Sequence, residues 1–255
     1  MTEDEIKNNL KTRRKYLTDR LRNLRERTVL VEQELKAYTS QHFRVCIFGS
    51  ARIRPDDENY RITEELARAL GHEGIDVLTG GGPGLMEAAN KGLIAGKKEA
   101  SSKAKSFGIS IDLPFEKEAN EHLDIKHHHR KFSSRLDDFM RLSNVIVVTA
   151  GGIGTLLELY FSWQLLQVGH LSGRPIILLN TSFWSGLISW MTTQQIAMNL
   201  VSPSDMQWIN MVDTTEEAMI IVRKEHDKFN QMREEAAANL SSAFQQHYMK
   251  SISDK

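Results

Sequence analysis

Three short glycine turns, each following an apolar run, are the places where this chain could hold an anion. They are Gly49-Ser50-Ala51-Arg52, Thr79-Gly80-Gly81-Gly82-Pro83-Gly84 and Gly151-Gly152-Ile153-Gly154-Thr155. Glycine lets backbone come close to a phosphate, and free amides at the start of a following helix donate to its oxygens with the helix dipole behind them. Taken singly, each turn reads equally well as a tight connection packing a helix on a strand. Neither standard nucleotide motif fits. There is no G-x-x-x-x-G-K-[ST], and the dinucleotide pattern G-x-G-x-x-G fails at its last glycine, where Leu85 and Leu157 stand. P-loop hydrolysis of ATP and nicotinamide-dependent hydride transfer are both poor readings. Three residues after Thr155 comes Glu158, which a helix would place on the same face beside the third turn. A carboxylate beside a bound phosphate is electrostatically awkward unless it serves a sugar hydroxyl, a cation or a water. The alternative is that Glu158 simply complements the helix dipole.

Other reactive side chains lead less far. His127, His128 and His129, with His122 nearby, suggest a metal, but adjacent histidines on a regular element do not converge on one ion. We expect no metal and no cofactor, with the histidines bordering the pocket or lying on a solvated helix start. The single cysteine, Cys46, reads as a buried thiol. Trp163, Trp184, Trp190 and Trp208 read as core or interface residues, and Met86 as either core or a contact for a purine.

The elements that must position these turns are strands over 44–48, 76–79, 106–111, 145–149 and 175–179. Between them lie helical patterns over 60–71, 85–94, 128–142 and 155–168; after them come the stretch 183–191, a turn around Ser202 and Pro203, and a final amphipathic helix from 215 onward. Strands apolar on both faces and separated by helices imply a doubly wound α/β fold, Rossmann-like, with a mostly parallel sheet. The carboxyl ends of such strands converge on one crevice, so the three turns can line a single site. Residues 41–230 form this domain. Residues 1–40 precede it as a basic amphipathic helix, with nine cations against two acids between Lys7 and Arg27. Leu10, Leu17, Leu24, Val31 and Tyr38, together with Leu21, Thr28 and Leu35, mark a heptad seam. That helix packs on a partner helix or on the main domain; the alternative is an arm for a polyanion. Residues 231–255 form a polar helical tail that frays. With 33 cations balancing 33 acids and no long apolar run, a membrane-spanning protein is excluded. The acidic, polar N-terminus lacks the features of a secretory signal, which points to the cytoplasm.

The stretches 45–52, 79–90 and 151–158, with 113–116 and 168–180, resemble the LOG family. Its members are the cytokinin riboside 5'-monophosphate phosphoribohydrolases and their bacterial relatives, and the likeness spans about 43–222. The family motif is P-G-G-x-G-T-x-x-E, with an Arg-Lys pair whose arginine lies 23 positions before the glutamate, here Arg135. Ala150 stands in place of the motif proline and Leu136 in place of the lysine. The resemblance implies hydrolysis of the N-glycosidic bond of a nucleoside 5'-monophosphate, AMP or an N6-modified adenine ribotide, to free base and ribose 5-phosphate. It implies Arg135 and Glu158 as catalytic residues and Gly151, Gly152, Gly154 and Thr155 as phosphate ligands. Ser50, Gly81, Gly82, Met86, Glu87 and Asn90 would bind the rest of the substrate. The long apolar helix from Thr155 would form a homodimer or part of a larger homo-oligomer. Some relatives carry the label lysine decarboxylase, but a pyridoxal phosphate enzyme needs a Schiff-base lysine and none sits in these motifs. Two other functions compete. One is a noncatalytic carrier of a nucleotide or of molybdenum cofactor on the same fold; the other is a nucleic-acid-associated protein acting through its basic helix, a less favoured reading.

Overall fold

The computed structural model describes residues 11–21, 24, 42–111, 119–171 and 173–253, with 236–253 as helix backbone. The chain divides into two units, His42–Phe229 and a second made of Met1–Gln41 with Asn230–Lys255.

In the first unit seven strands form one sheet: β1 (Arg44–Phe48), β2 (Asp76–Thr79), β3 (Ser106–Ile111), β4 (Ile125–His129), β5 (Val145–Val148), β6 (Ile176–Leu179) and β7 (Ile209–Val212). All neighbours run parallel, in the order β4-β3-β2-β1-β5-β6-β7. The connecting helices are α2 (Glu58–His72), α3 (Leu85–Ala100), α4 (Phe132–Leu142), α5 (Ile153–Gln167) and α6 (Thr181–Trp190), followed by α7 (Thr215–Ser253). This is the doubly wound α/β fold expected from the strand and helix pattern.

Alternation along each central strand builds two cores. Val45, Ile47, Val77, Val145, Val147, Ile177 and Leu179 face one layer, which α2, α3 and the start of α7 complete through Leu66, Leu70, Leu93, Met219 and Val222. Cys46, Phe48, Leu78, Ile146, Val148, Ile176 and Leu178 face the other, with Phe139, Leu159, Trp163 and Trp184 from α4, α5 and α6. A strand buried on both faces has no polar side to show, which is why these runs are continuously apolar. From β1 the chain winds outward through β2, β3 and β4, then returns to place β5 on the other side of β1. The crevice of such a fold opens at that reversal, between β1 and β5.

One expectation needs correction. The helix expected over 128–142 begins at Phe132, and His127, His128 and His129 belong to β4, paired to Ile109, Ser110 and Ile111 of β3. An edge strand keeps one side of its backbone and much of its side-chain surface in water, so it tolerates Lys and His where a central strand would not. α7 runs on as helix through Ser253. β7, a short half-buried strand, was absent from the sequence pattern.

In the second unit residues 11–21, which we label α1, and Leu24 are helical, and Leu17, Leu21 and Leu24 are each about half exposed. The remaining seam positions Leu10, Thr28, Val31, Leu35 and Tyr38 lie outside the described residues, as does the stretch 113–116. Among the described residues no helix is long and apolar enough to cross a membrane.

Candidate functional site

The three glycine turns do meet at the carboxyl ends of β1, β2 and β5, and Ser50 is their joint. Its N–H donates to the Ala150 carbonyl (3.1 Å), tying the first turn to the third. Its carbonyl accepts from Leu85 N–H (3.0 Å), tying the first to the second. Its hydroxyl oxygen accepts from Arg52 N–H (3.1 Å). The second turn sits so close to the first that a Cβ at Gly84, which has a φ of +68°, would collide with the Ser50 carbonyl.

Arg135 rises from α4 into the space between the second and third turns. Only 8% exposed, it is fixed on several sides. Its Nε donates to the Ile109 carbonyl (2.9 Å), and its guanidinium carbon lies 5.1 Å from the centre of the Phe139 ring. Over Gly80 there is no room for a side chain, since a Cβ would stand 2.5 Å from Arg135 Nη2 and 2.7 Å from Met86 Sδ. Met86, buried, therefore lies beside Gly80 with the arginine.

Arg135 faces Glu158. Nη1 and Oε1 are 3.7 Å apart, with side-chain exposures of 10% and 13%. That spacing is too long for a direct hydrogen bond between these atoms, so the pair interacts as charges. Glu158 is in the second turn of α5. The dipole effect fades beyond the first turn, so complementing the helix dipole does not account for this carboxylate. Beneath the pair lies Cys46. Burial, reinforced by the Glu158 charge, pushes its thiol well above the ordinary value although Arg135 acts the other way, so it is no thiolate nucleophile.

The third turn is built differently. Thr155, buried, fills the space beside Gly151, whereas nothing lies within 4 Å of where a Cβ would stand at Gly152 or Gly154. Gly152 caps α5 without a side chain, as Gly84 does α3. The contrast with α2 and α6 is chemical, because Asp57 and Asn180 cap those helices through their own oxygens. Two helix N-termini at the crevice thus keep amide donors that no capping side chain occupies. Between the two open glycines Ile153 is 88% exposed.

The structure therefore brings Arg135, Glu158, Met86, Ser50 and the third turn to one crevice. The other residues singled out from the sequence sit differently. Asn90 is fully buried, and its Oδ1 accepts from Thr79 Oγ1 (2.8 Å) while its Nδ2 donates to Ser106 Oγ (2.8 Å). It supports the second turn from below rather than facing a ligand. Gly81 and Gly82 are likewise buried, with both carbonyls bonded to Asn120. Glu87 stands half-buried in the first turn of α3 and helps burial to raise the Tyr60 phenol.

Of the histidines, His129 is held by α4, while His128 Nδ1 lies 3.2 Å from Ser110 Oγ on β3. His129 Nε2 is 3.0 Å from Asp138 Oδ2 and Nδ1 is 3.0 Å from Ser134 Oγ. Burial opposes it, yet bonds from Arg141 and His129 hold the Asp138 carboxyl below its usual range. Among the described residues no group of three His, Cys, Asp or Glu is placed to hold a metal ion. Asn120 was missed from the sequence, and Thr79 and Gly80 were seen there only as parts of the second turn.

No curated protein matches the chain. Among solved structures it is similar to the structural-genomics target TM1055, at 25% identity and a TM-score of 0.53, covering 71% of this chain and 99% of that one. It is also similar in fold to the molybdenum cofactor binding protein of Rippkaea orientalis (21%, TM-score 0.52, 72% and 97% covered). The molybdenum cofactor carrier protein of Chlamydomonas reinhardtii compares likewise (19%, TM-score 0.53, 73% and 99%). The family described as "possible lysine decarboxylase" matches residues 86–222, more than half of the 255-residue chain and the whole of the Arg135–Glu158 site. The chain belongs to that family, the LOG-type family its glycine motifs resemble.

Proposed function

We propose that the protein hydrolyses the N-glycosidic bond of nucleoside 5'-monophosphates, AMP or N6-modified adenine ribotides, acting in the cytoplasm. The observation that carries this reading is the pair of buried Arg135 and half-buried Glu158 beside a glycine N-terminus open to solvent at Gly152 and Gly154. The open amides of α5 suit the 5'-phosphate. Breaking the bond builds oxocarbenium-like charge on the ribose, which Glu158 stabilises while orienting the attacking water or a ribose hydroxyl. Water oxygen bonds to C1', the glycosidic electron pair leaves with the base, and the base gains one of the water's protons. Arg135 is too deeply fixed to swing, so it offers its donors to the substrate from a set position.

Incubation with AMP, GMP, CMP and UMP, followed by chromatography, tests the reading. Free base and ribose 5-phosphate are expected, and Glu158→Gln is expected to slow their release by roughly 10²- to 10⁴-fold. An unchanged rate in that variant removes Glu158 from the chemistry. A second reading is a noncatalytic carrier of a nucleotide or molybdenum cofactor. It is favoured by Leu136, a buried apolar residue where the motif has lysine, and by the likeness in fold to proteins that bind molybdenum cofactor. Nucleotide binding without base release would select it.

A homodimer fits the same reading. Ile153, Leu157 and Tyr160 form an exposed apolar stripe on α5, and Phe183 and Trp190 add exposed rings on α6.

A further inference from the structure

The second glycine turn is held by a closed set of hydrogen bonds whose outer member is Asn120, in the connection between β3 and β4. Asn120 N–H donates to the Gly81 carbonyl (2.8 Å), and its Nδ2 donates to the Gly82 carbonyl (3.0 Å) and to Asn90 Oδ1 (3.0 Å). Its own Oδ1 accepts from His122 N–H (3.1 Å). Inside, Thr79 Oγ1 accepts from Gly81 N–H (2.9 Å) and donates to Asn90 Oδ1. Both backbone groups of Gly81 and the carbonyl of Gly82 are consumed, with Gly81 held at a φ of +76° against Gly108.

This arrangement has a consequence for whatever binds above it. Carbonyl oxygens left free in this turn would compete with a ligand for the donors of Arg135, and Asn120 occupies two of them. What remains on that side is the uncapped start of α3 and the guanidinium of Arg135, which packs over Gly80 immediately before the clamped residues. The clamp therefore sets the seat of the arginine and keeps its donors for the ligand. A side chain that fixes such a seat acts on the reacting end of a ligand, because misplacement by an ångström costs about 10²-fold in rate.

We propose that Asn120 is a positioning residue of the site, withdrawing the Gly81 and Gly82 carbonyls so that Arg135 and the start of α3 meet the base and ribose of a nucleotide. The proposal rests on the reading of the crevice as a nucleotide site. It divides labour between the turns: the third holds phosphate, and the second, through Asn120, governs the rest of the ligand.

The test uses full-length Asn120→Asp, which keeps the shape and the backbone bond but cannot donate to Gly82 or Asn90, with Asn120→Ala beside it. Amide hydrogen exchange at Gly81, which needs no ligand, is expected to quicken at least about tenfold while Val45–Phe48 stay unchanged. Calorimetry should show AMP affinity falling roughly tenfold and ribose 5-phosphate affinity changing less than about threefold, with AMP turnover falling about 10- to 100-fold. Unchanged Gly81 exchange overturns the proposal. So does an equal loss of both affinities, the mark of a merely structural role, and so does a wild type that binds neither ligand. Wild-type protein that binds AMP without cleaving it removes the hydrolase reading alone, and the split in affinities still decides the role of Asn120.

Discussion

The second and third glycine turns look alike in composition and differ in what occupies the space their missing side chains leave. In the second, protein fills it: Arg135 and Met86 over Gly80, Gly108 against Gly81, and Ser50 with Ala51 against Gly84. In the third, beyond Thr155 packed on Gly151, the space at Gly152 and Gly154 is empty. One set of glycines lets the protein close on itself; the other leaves its space open. Glycine content alone therefore says little about where a ligand sits; the occupant of the absent Cβ says more.

The sharpest way to break this comparison is an alanine in the closed turn. Gly84→Ala meets two penalties, a left-handed backbone at φ +68° and a collision with the Ser50 carbonyl that neither chain segment can relieve alone. A loss of about 2–4 kcal/mol in urea denaturation is expected. A loss under about 0.5 kcal/mol would mean that the first and second turns are looser than the contact implies. Asn90→Ala comes next. It strands the Thr79 hydroxyl, the Ser106 hydroxyl and an Asn120 amide proton within the protein, and should cost about 1–3 kcal/mol. Nucleotide affinity measured on the protein that remains folded would show whether the support beneath the turn matters to the face above it.

How much of this was legible beforehand depended on where each residue's partners lie. The central strands were readable because burial on both faces demands uninterrupted apolar runs, as in Val145–Val148. β4 was not, because Lys126 and three histidines on a solvated edge carry no strand pattern and resemble a polar helix start. In the site, Glu158 was readable as a charge near the third turn, but its partner was not: Arg135 lies on another helix, and only the family register pointed to it. Asn90 was given as a ligand contact by the family resemblance, whereas its amide is spent on Thr79, Ser106 and Asn120. Asn120 was invisible because it acts on residues 38 and 30 positions away, Gly82 and Asn90, and no local rule links such positions.

The smallest effect is expected in the open turn, and there its sign reverses. Gly154 is the second residue of α5, its φ is not positive, and a methyl group there meets nothing within 4 Å. Replacing it with alanine removes freedom from the unfolded chain at no steric cost to the fold, so Gly154→Ala should stabilise the protein by roughly 0.5–1 kcal/mol. The same methyl group stands where the 5'-phosphate would approach the amides of α5, so ribose 5-phosphate binding should weaken as stability rises. A residue that is cheaper to replace for folding and costlier to replace for binding is the signature of a position kept small for a ligand. If thermal denaturation and calorimetry instead show stability and affinity rising or falling together, the open turn is a second packing turn, and the anion site must lie elsewhere along the crevice.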